Sequence, residues 1–145
     1  MAARLLTEAD EKLVVAAIAA AEKATSGEIR IHLEDHCRGN ALDRAMQLFD
    51  KLGMTRTVAR NGVIVYIAVK DQKLAIYGDA GIHEQVGSDF WQAELDALIA
   101  AFKAGSYAAG LVQVVTDVGD KLKTYFPYQS DDRNELSNDI SYGKD

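Results

Sequence analysis

The chain has 145 residues, 48% of them hydrophobic and 26% charged, a composition typical of one globular domain. A formal net charge of −6 disfavours nucleic acid and anionic lipid surfaces as partners. The N-terminal residues lack a basic region followed by an apolar segment, and no apolar run approaches the roughly 18 residues that span a bilayer. These features predict a cytoplasmic protein without membrane insertion. The single cysteine, Cys37, excludes an internal disulfide and a multi-cysteine zinc site.

The first part of the chain predicts a helix, a strand and a second helix. Thr7 is a typical N-cap because acidic residues follow it, and apolar residues then recur at helical spacing as far as residue 21. Residues 28–34, EIRIHLE, alternate between apolar and polar side chains, which predicts a strand with one buried face. Asn40 begins a second helical stripe, and Gly53 is suited to end it.

The second part predicts a hairpin and two further helices. The run VIVYIAV at 63–69 is typical of a central strand buried on both faces, and LAIYG returns after a tight turn. Ser88 is suited to cap a helix with an aromatic stripe, and a last helix ends before Pro127. Residues 128–145 are polar and acidic. They predict a mobile or loosely docked tail after a domain of residues 1–127.

The resulting order, α-β-α-β-β-α-α, indicates an α/β fold with a mixed sheet covered by helices. The first two strands are joined through a helix, so a parallel pair with a right-handed crossover is expected. The second and third strands form an antiparallel hairpin. The end of the third strand therefore returns to the edge of the sheet where the second strand begins, near residues 60–62.

Three carboxylates are expected to gather at that edge. Asp79 follows the third strand, and Glu84 and Asp89 follow within a stretch that contains several glycines, close to Asn61. Carboxylates and loop carbonyls suit a hard cation such as calcium, which takes six to eight oxygen ligands. The alternative is structural: Asp79 caps a turn, and Asp89 stabilises the beginning of a helix. The spacing alone does not decide between the two.

A second polar group lies at the opposite edge. His32, Glu34 and His36 alternate along the first strand and could ligate zinc or nickel, with Cys37 as a further ligand. An exposed strand face also carries such residues routinely. Nucleophilic catalysis has little support, since His36 and Cys37 are adjacent on a strand and point to opposite faces. The chain has no phosphate-binding loop and no nucleophile elbow.

Four segments together resemble the TPM domain family, in their order and spacing rather than in any single motif. They are SGEIRIHLE, RNGVIVYIAV, KLAIYGDAGIHEQVGSDFW and the closing FP, and they extend the resemblance from Thr7 to Pro127. The resemblance implies a three-layer α/β/α sandwich, divalent metal binding, chiefly of calcium, and weak acid phosphatase activity known in a plant member. Gly81-Ile82 and Ser88-Asp89 occupy the places of family turn motifs. Asp79, Glu84 and the neighbouring Arg60 depart from the pattern.

The sequence therefore predicts a calcium-binding domain with a regulatory or interaction role. Asp79, Glu84 and Asp89 are the expected ligands of a divalent cation, and an unidentified protein is the expected partner. The alternative is a weak metal-assisted acid phosphatase, in which Arg60 would contribute positive charge. A third interpretation is a metal-free interaction module that uses an exposed strand face around Arg30 and His32.

Overall fold

The computed structural model describes residues 5–128 and 140–143, so residues 129–139 and 144–145 of the predicted tail lie outside the described part. The helices are α1 (Glu8–Glu22), α2 (Ala41–Lys51), α3 (Ala80–Lys103) and α4 (Tyr107–Tyr125), with a short 3-10 helix at Met54–Arg56. The strands are β1 (Glu28–Glu34), β2 (Gly62–Ala68), β3 (Lys73–Gly78) and β4 (Ser141–Tyr142). The predicted order is confirmed, and β4 is added at the end of the chain.

The four strands form one mixed sheet in the order β3-β2-β1-β4. β1 and β2 are parallel, with Glu28 opposite Gly62 and Glu34 opposite Ala68. β2 and β3 are antiparallel, as the hairpin pattern predicts. The beginning of β2 and the end of β3 therefore meet at one edge of the sheet, as predicted.

Helices cover both faces of the sheet, so the three-layer α/β/α sandwich is confirmed. On one face, apolar side chains of β1 and β2 pack with those of α1, α3 and α4 around Ile18, Leu98 and Val115. On the other face, Phe49 of α2 and Met54 pack against the opposite side of β2. β2 is buried along its whole length because it is central and covered on both sides.

Local sequence signals place the first two helices. Thr7 accepts a hydrogen bond from the Asp10 N–H at 3.1 Å, and Asn40 accepts one from the Asp43 N–H at 3.0 Å. Each cap satisfies a free N–H of the first helical turn. Gly53 follows the end of α2 with φ 74°, a left-handed conformation that glycine adopts without strain.

The stretch after β3 differs from the predicted loop. Asp79 is an N-cap and α3 begins at Ala80, well before the helix predicted from Ser88. Gly87, with φ 79° and ψ 170°, interrupts the helix, so two helical segments meet there. The glycines of this stretch predicted a turn, but Gly78 instead allows a neighbouring ring to pack closely against the main chain. It lies against the ring of Trp91, where a side chain would not fit.

The polar face of β1 is buried, which corrects the expectation of one buried and one exposed face. Glu28, His32 and Glu34 are 2%, 4% and 3% exposed. β4 pairs in parallel with His32 and Leu33. The predicted tail thus includes a strand that completes this edge of the sheet.

Candidate functional site

Asp79 and Arg60 form a bidentate ion pair at the edge where β2 begins and β3 ends. Arg60 Nε donates to Asp79 Oδ2 at 2.6 Å, and Arg60 Nη2 donates to Asp79 Oδ1 at 2.8 Å. The Asp79 side chain is 2% exposed, whereas that of Arg60 is 51% exposed. The carboxylate is therefore fixed and desolvated, and its cationic partner extends into water.

The main chain holds Asp79 in place on two sides. Its N–H donates to the Gly62 carbonyl at 2.9 Å, which continues the β2–β3 pairing. Its Oδ1 also accepts from the Ala80 N–H at 2.8 Å, at the beginning of α3. The hydrogen bonds and the charge of Asp79 raise the pKa of the Arg60 guanidinium. Two main-chain hydrogen bonds therefore hold Asp79 in addition to its ion pair with Arg60.

Main-chain carbonyls of the residues before β2 contact the first turn of α3. The Arg60 carbonyl accepts from the Gly81 N–H at 2.8 Å and from the Ile82 N–H at 3.3 Å. A Cβ on Gly81 would overlap the Ala59 carbonyl oxygen and lie 2.7 Å from the Arg60 oxygen. Arg60 itself has φ 53°, a left-handed conformation that is uncommon for an arginine. Glycine at 81 thus permits the close approach of two carbonyl groups to α3.

The other predicted ligands are placed differently. Glu84 lies in the first helical segment of α3 and Asp89 follows the break at Gly87, and both are exposed. Asn61 is 1% exposed, and its Nδ2 donates to Ser26 Oγ at 3.1 Å. The Asn61 amide is thus directed toward the residues that precede β1, not toward Asp79.

Asp79, Glu84 and Asp89 do not form a ligand group in this structure. Within residues 5–128 and 140–143, no three side chains of histidine, cysteine, aspartate or glutamate are arranged to hold a metal ion. Calcium accepts carboxylate and main-chain carbonyl oxygens together, and Asp79 supplies one such carboxylate. Binding would require Arg60 to leave the carboxylate.

The buried polar side chains of β1 form a second cluster with residues from α2, β2 and β4. Glu34 accepts hydrogen bonds from Arg44 Nε at 2.8 Å and Nη2 at 3.0 Å, and from the Tyr66 hydroxyl. His32 Nδ1 lies 2.8 Å from Ser141 Oγ, and His32 Nε2 lies 3.7 Å from Glu34 Oε1. The cluster connects these elements around one carboxylate.

Burial and hydrogen bonding set the protonation of this cluster. Burial raises the pKa of Glu34, but hydrogen bonds from Arg44 and Tyr66 outweigh it and hold that pKa below its usual range. Burial lowers the pKa of His32, against the opposing effect of Glu34. At neutral pH, Glu34 is therefore ionised and His32 neutral.

The geometry separates the residues of the predicted transition-metal group. His36 Nδ1 lies 3.1 Å from Asp71 Oδ1, and the Cys37 N–H donates to Asp71 Oδ2 at 2.7 Å. His36 therefore lies beside Asp71, whereas His32 faces Ser141. The exposed interaction face predicted around His32 is also wrong, because β4 and Tyr66 cover this histidine.

The sequence reasoning did not identify three members of the second cluster: Arg44, Tyr66 and Ser141. A signal was present for Tyr66, since a hydroxyl inside the run VIVYIAV needs a buried partner. For Arg44 and Ser141 no local pattern indicates the contact, because each reaches β1 from a different element. Their roles follow only from the tertiary arrangement.

The fold and the polar residues at this edge define a class of small α/β/α domains with a mixed sheet, in which an acidic residue follows the β-hairpin. The TPM domain profile matches residues 1–121, and the chain belongs to this family. No curated protein matches the chain. Among the described residues, none of the helices has the length and apolar character needed to cross a membrane.

Solved structures of bacterial proteins share the fold. The BA42 protein of Bizionia argentinensis is 46% identical, with a TM-score of 0.88 and 97% of each chain covered. The N-terminal domain of a protein from P. gingivalis is 20% identical with a TM-score of 0.68; the match covers 84% of this chain and 79% of that one. The N-terminal domain of cg2496 from Corynebacterium glutamicum is 17% identical with a TM-score of 0.63, over 81% and 74% of the two chains. The latter two show the fold alone.

Proposed function

We propose that this TPM domain is a cytoplasmic calcium-responsive module whose cation site is centred on Asp79. The supporting observation is the asymmetry of the Arg60–Asp79 pair, in which a buried carboxylate is neutralised by a half-exposed guanidinium. A buried carboxylate has already lost its water, so a competing cation would not have to desolvate it again. Calcium would replace Arg60 as the partner of Asp79.

Glu84 and Asp89 supply the remaining negative charge in this proposal. Both are exposed on α3, on either side of the break at Gly87, and their side chains are free to reorient in water. Exposed, flexible ligands give weak binding, on the order of 0.1–1 mM as in extracellular calcium modules. Calcium binding would release the Arg60 guanidinium and so change the net charge at this edge. This change of charge is the physical basis for a regulatory role.

Calcium titration followed by amide NMR tests the proposal. Because the arginine competes with calcium for the carboxylate, its removal should strengthen calcium binding. Arg60→Gln should bind calcium about tenfold more tightly than the wild type, since the carboxylate no longer has an internal cation. Asp79→Asn should abolish binding, and Glu84→Gln with Asp89→Asn should weaken it. Asp50→Asn, which removes an exposed carboxylate on α2, is the matched control and should bind normally.

The result that overturns the proposal is an absence of amide shifts near residues 79–89 at millimolar calcium in both the wild type and Arg60→Gln. The same variants distinguish the alternative, a metal-assisted acid phosphatase in which Arg60 binds phosphoryl oxygens. Turnover of p-nitrophenyl phosphate that needs calcium and disappears in Asp79→Asn, but not in Asp50→Asn, would support that alternative. Equal turnover in both would indicate a contaminant.

A further inference from the structure

The outer side of β3 has no paired strand among the residues that the structure describes. β3 is an edge strand and pairs with β2 on its inner side. The Asp79 N–H donates to the directly opposed Gly62 carbonyl, so Asp79, Tyr77 and Ala75 direct their main-chain groups toward β2. By the same alternation, Leu74, Ile76 and Gly78 direct theirs outward.

A groove of about 660 Å³ runs along this edge between α2 and α3. Leu42 and Met46 of α2 form one wall, and each is 45% exposed. Trp91 and Leu95 of α3 form the other wall. A strand laid against β3 would place alternate side chains on these two apolar walls, because successive side chains of a strand point to opposite faces.

The edge lacks the features that usually prevent pairing. Edge strands are commonly protected by charged residues, proline or a bulge. Residues 74–78 of β3 read LAIYG and contain no charge and no proline. Lys73, at its beginning, donates instead to the carbonyls of Cys37 at 2.9 Å and Gly39 at 2.8 Å. The lysine therefore does not shield the strand.

Exposed carboxylates lie next in sequence to residues that line the groove, and they are called the acidic rim here. They are Asp43, Glu84, Asp89 and Asp96. Among the described residues, the lining contains no lysine or arginine. The nearest basic side chain of α2, Arg44, is bound to Glu34. Together with Lys73 beside Leu74, the acidic rim leaves an excess of negative charge beside the groove, which basic residues on a partner would meet.

We propose that the β3 groove binds an extended peptide segment as an added antiparallel or parallel strand. The segment has hydrophobic residues at alternate positions and lysine or arginine at its ends. Main-chain pairing with Leu74, Ile76 and Gly78 supplies affinity, the two apolar walls select alternate side chains, and the acidic rim selects basic flanks. This function is distinct from calcium binding, although Glu84 and Asp89 belong to both surfaces.

The first experiment uses a fluorescein-labelled peptide, Lys-Lys-Val-Thr-Val-Ser-Leu-Lys-Lys, and the full chain in the presence of chelator. Its control is the same peptide with N-methyl groups on all five residues between the terminal lysines, which leaves no N–H donor on either side of this segment for strand pairing. Anisotropy should show binding of the unmodified peptide at least about tenfold tighter, since several hydrogen bonds are lost on methylation. Amide shifts should map to β3, α2 and α3. Chelator keeps this outcome independent of the proposed cation site.

The second experiment changes the protein. Leu74→Pro removes an outward N–H, an exchange that an edge strand tolerates, and should weaken peptide binding about tenfold or more. Leu74→Ala keeps the N–H and is the matched control, with a smaller loss. Asp43→Asn with Asp96→Asn should weaken the lysine-flanked peptide but leave a serine-flanked version unchanged.

Three results would overturn the proposal. One is equal binding of the N-methylated and unmodified peptides. Another is amide shifts that lie away from β3 and its flanking helices. The third is a concentration-dependent dimer in sedimentation velocity that Leu74→Pro abolishes, because the groove would then bind a second copy of this chain. The peptide control keeps the test valid even if Leu74→Pro fails to fold.

Discussion

Glu22, at the end of α1, binds the main chain of β1. Its Oε2 accepts a hydrogen bond from the Ile29 N–H at 2.8 Å. Burial raises the pKa of this carboxyl to about 9, and the neighbouring Glu28 adds to the effect. Glu22 is therefore protonated in the folded protein at neutral pH and ionised in the unfolded chain, whose glutamates have pKa values near about 4.3.

This difference makes the free energy of unfolding depend on pH. Between about pH 4.3 and 9, the folded state binds more protons than the unfolded state, so stability falls as pH rises. Glu22→Gln keeps the oxygen that accepts from Ile29 and removes the titration. We expect it to stabilise the protein at pH 8 by about 1–2 kcal/mol, a figure reduced for solvent screening, and to have little effect near pH 4.5.

Urea unfolding of the wild type and Glu22→Gln at several pH values measures the effect. Glu8→Gln, an exposed change in the first turn of the same helix, is the control and should leave the pH dependence intact. Parallel pH profiles of the wild type and Glu22→Gln would contradict the raised pKa.

At the scale of elements, helices and strands with a clear apolar pattern were predicted correctly. Elements that are very short, or whose glycines allow a close approach, were not. α2 follows from helical spacing, although Leu42 and Met46 of its stripe are exposed, and β2 follows from a continuous apolar run that is buried on both faces. The first segment of α3 was missed because its glycines were interpreted as turn residues, whereas Gly81 serves a close approach. β4 was missed because two residues carry no period. The Arg60–Asp79 contact could be expected from topology, but its ion-pair geometry could not.

Gly81 tests the link between α3 and the beginning of β2. A methyl group at this position would overlap the Ala59 carbonyl oxygen, and main-chain atoms cannot move aside as a flexible side chain can. Gly81→Ala should therefore destabilise the fold by about 2–4 kcal/mol. Chemical denaturation measures this difference.

Gly39→Ala provides the comparison for a purely conformational cost. Gly39 has φ 81°, and apart from its two chain neighbours no described residue lies within 4 Å of the position that an added methyl group would take. Its substitution should therefore cost only about 1 kcal/mol. Equal losses for the two variants would show that the contact of Gly81 with the carbonyls is unimportant for stability.

At the scale of the whole molecule, β4 pairs with β1 and covers the buried His32 at this edge of the sheet. The Gly143 N–H donates to the Leu33 carbonyl at 2.7 Å, and Tyr142 donates to Glu11 of α1 at 2.7 Å. Gly143 lies so close to Glu34 and His32 that a Cβ would be 2.6 Å from Glu34 Oε1. β4 thus contributes directly to the burial that lowers the pKa of His32.

Gly143→Val should detach β4 while leaving the rest of the fold intact. His32 would then become exposed, and its pKa would rise toward the ordinary value of about 6.5. In the wild type the folded pKa is lowered, so stability falls as pH drops through about 6.5; this loss should be smaller in the variant. NMR titration of the His32 ring measures the pKa. An unchanged His32 pKa, with the β4 amide signals displaced, would contradict this role of β4.

The pairing of β1 with β4 also has a consequence for biosynthesis. His32 and Ser141 are separated by 109 positions, so β4 emerges from the ribosome long after β1. During translation the nascent chain can assemble β1, β2 and β3, but the β4 side of β1 stays open until residues 141–142 have been synthesised. Chaperones that recognise unpaired strands would therefore find this side of β1 accessible during synthesis, and truncations that remove β4 would leave it exposed.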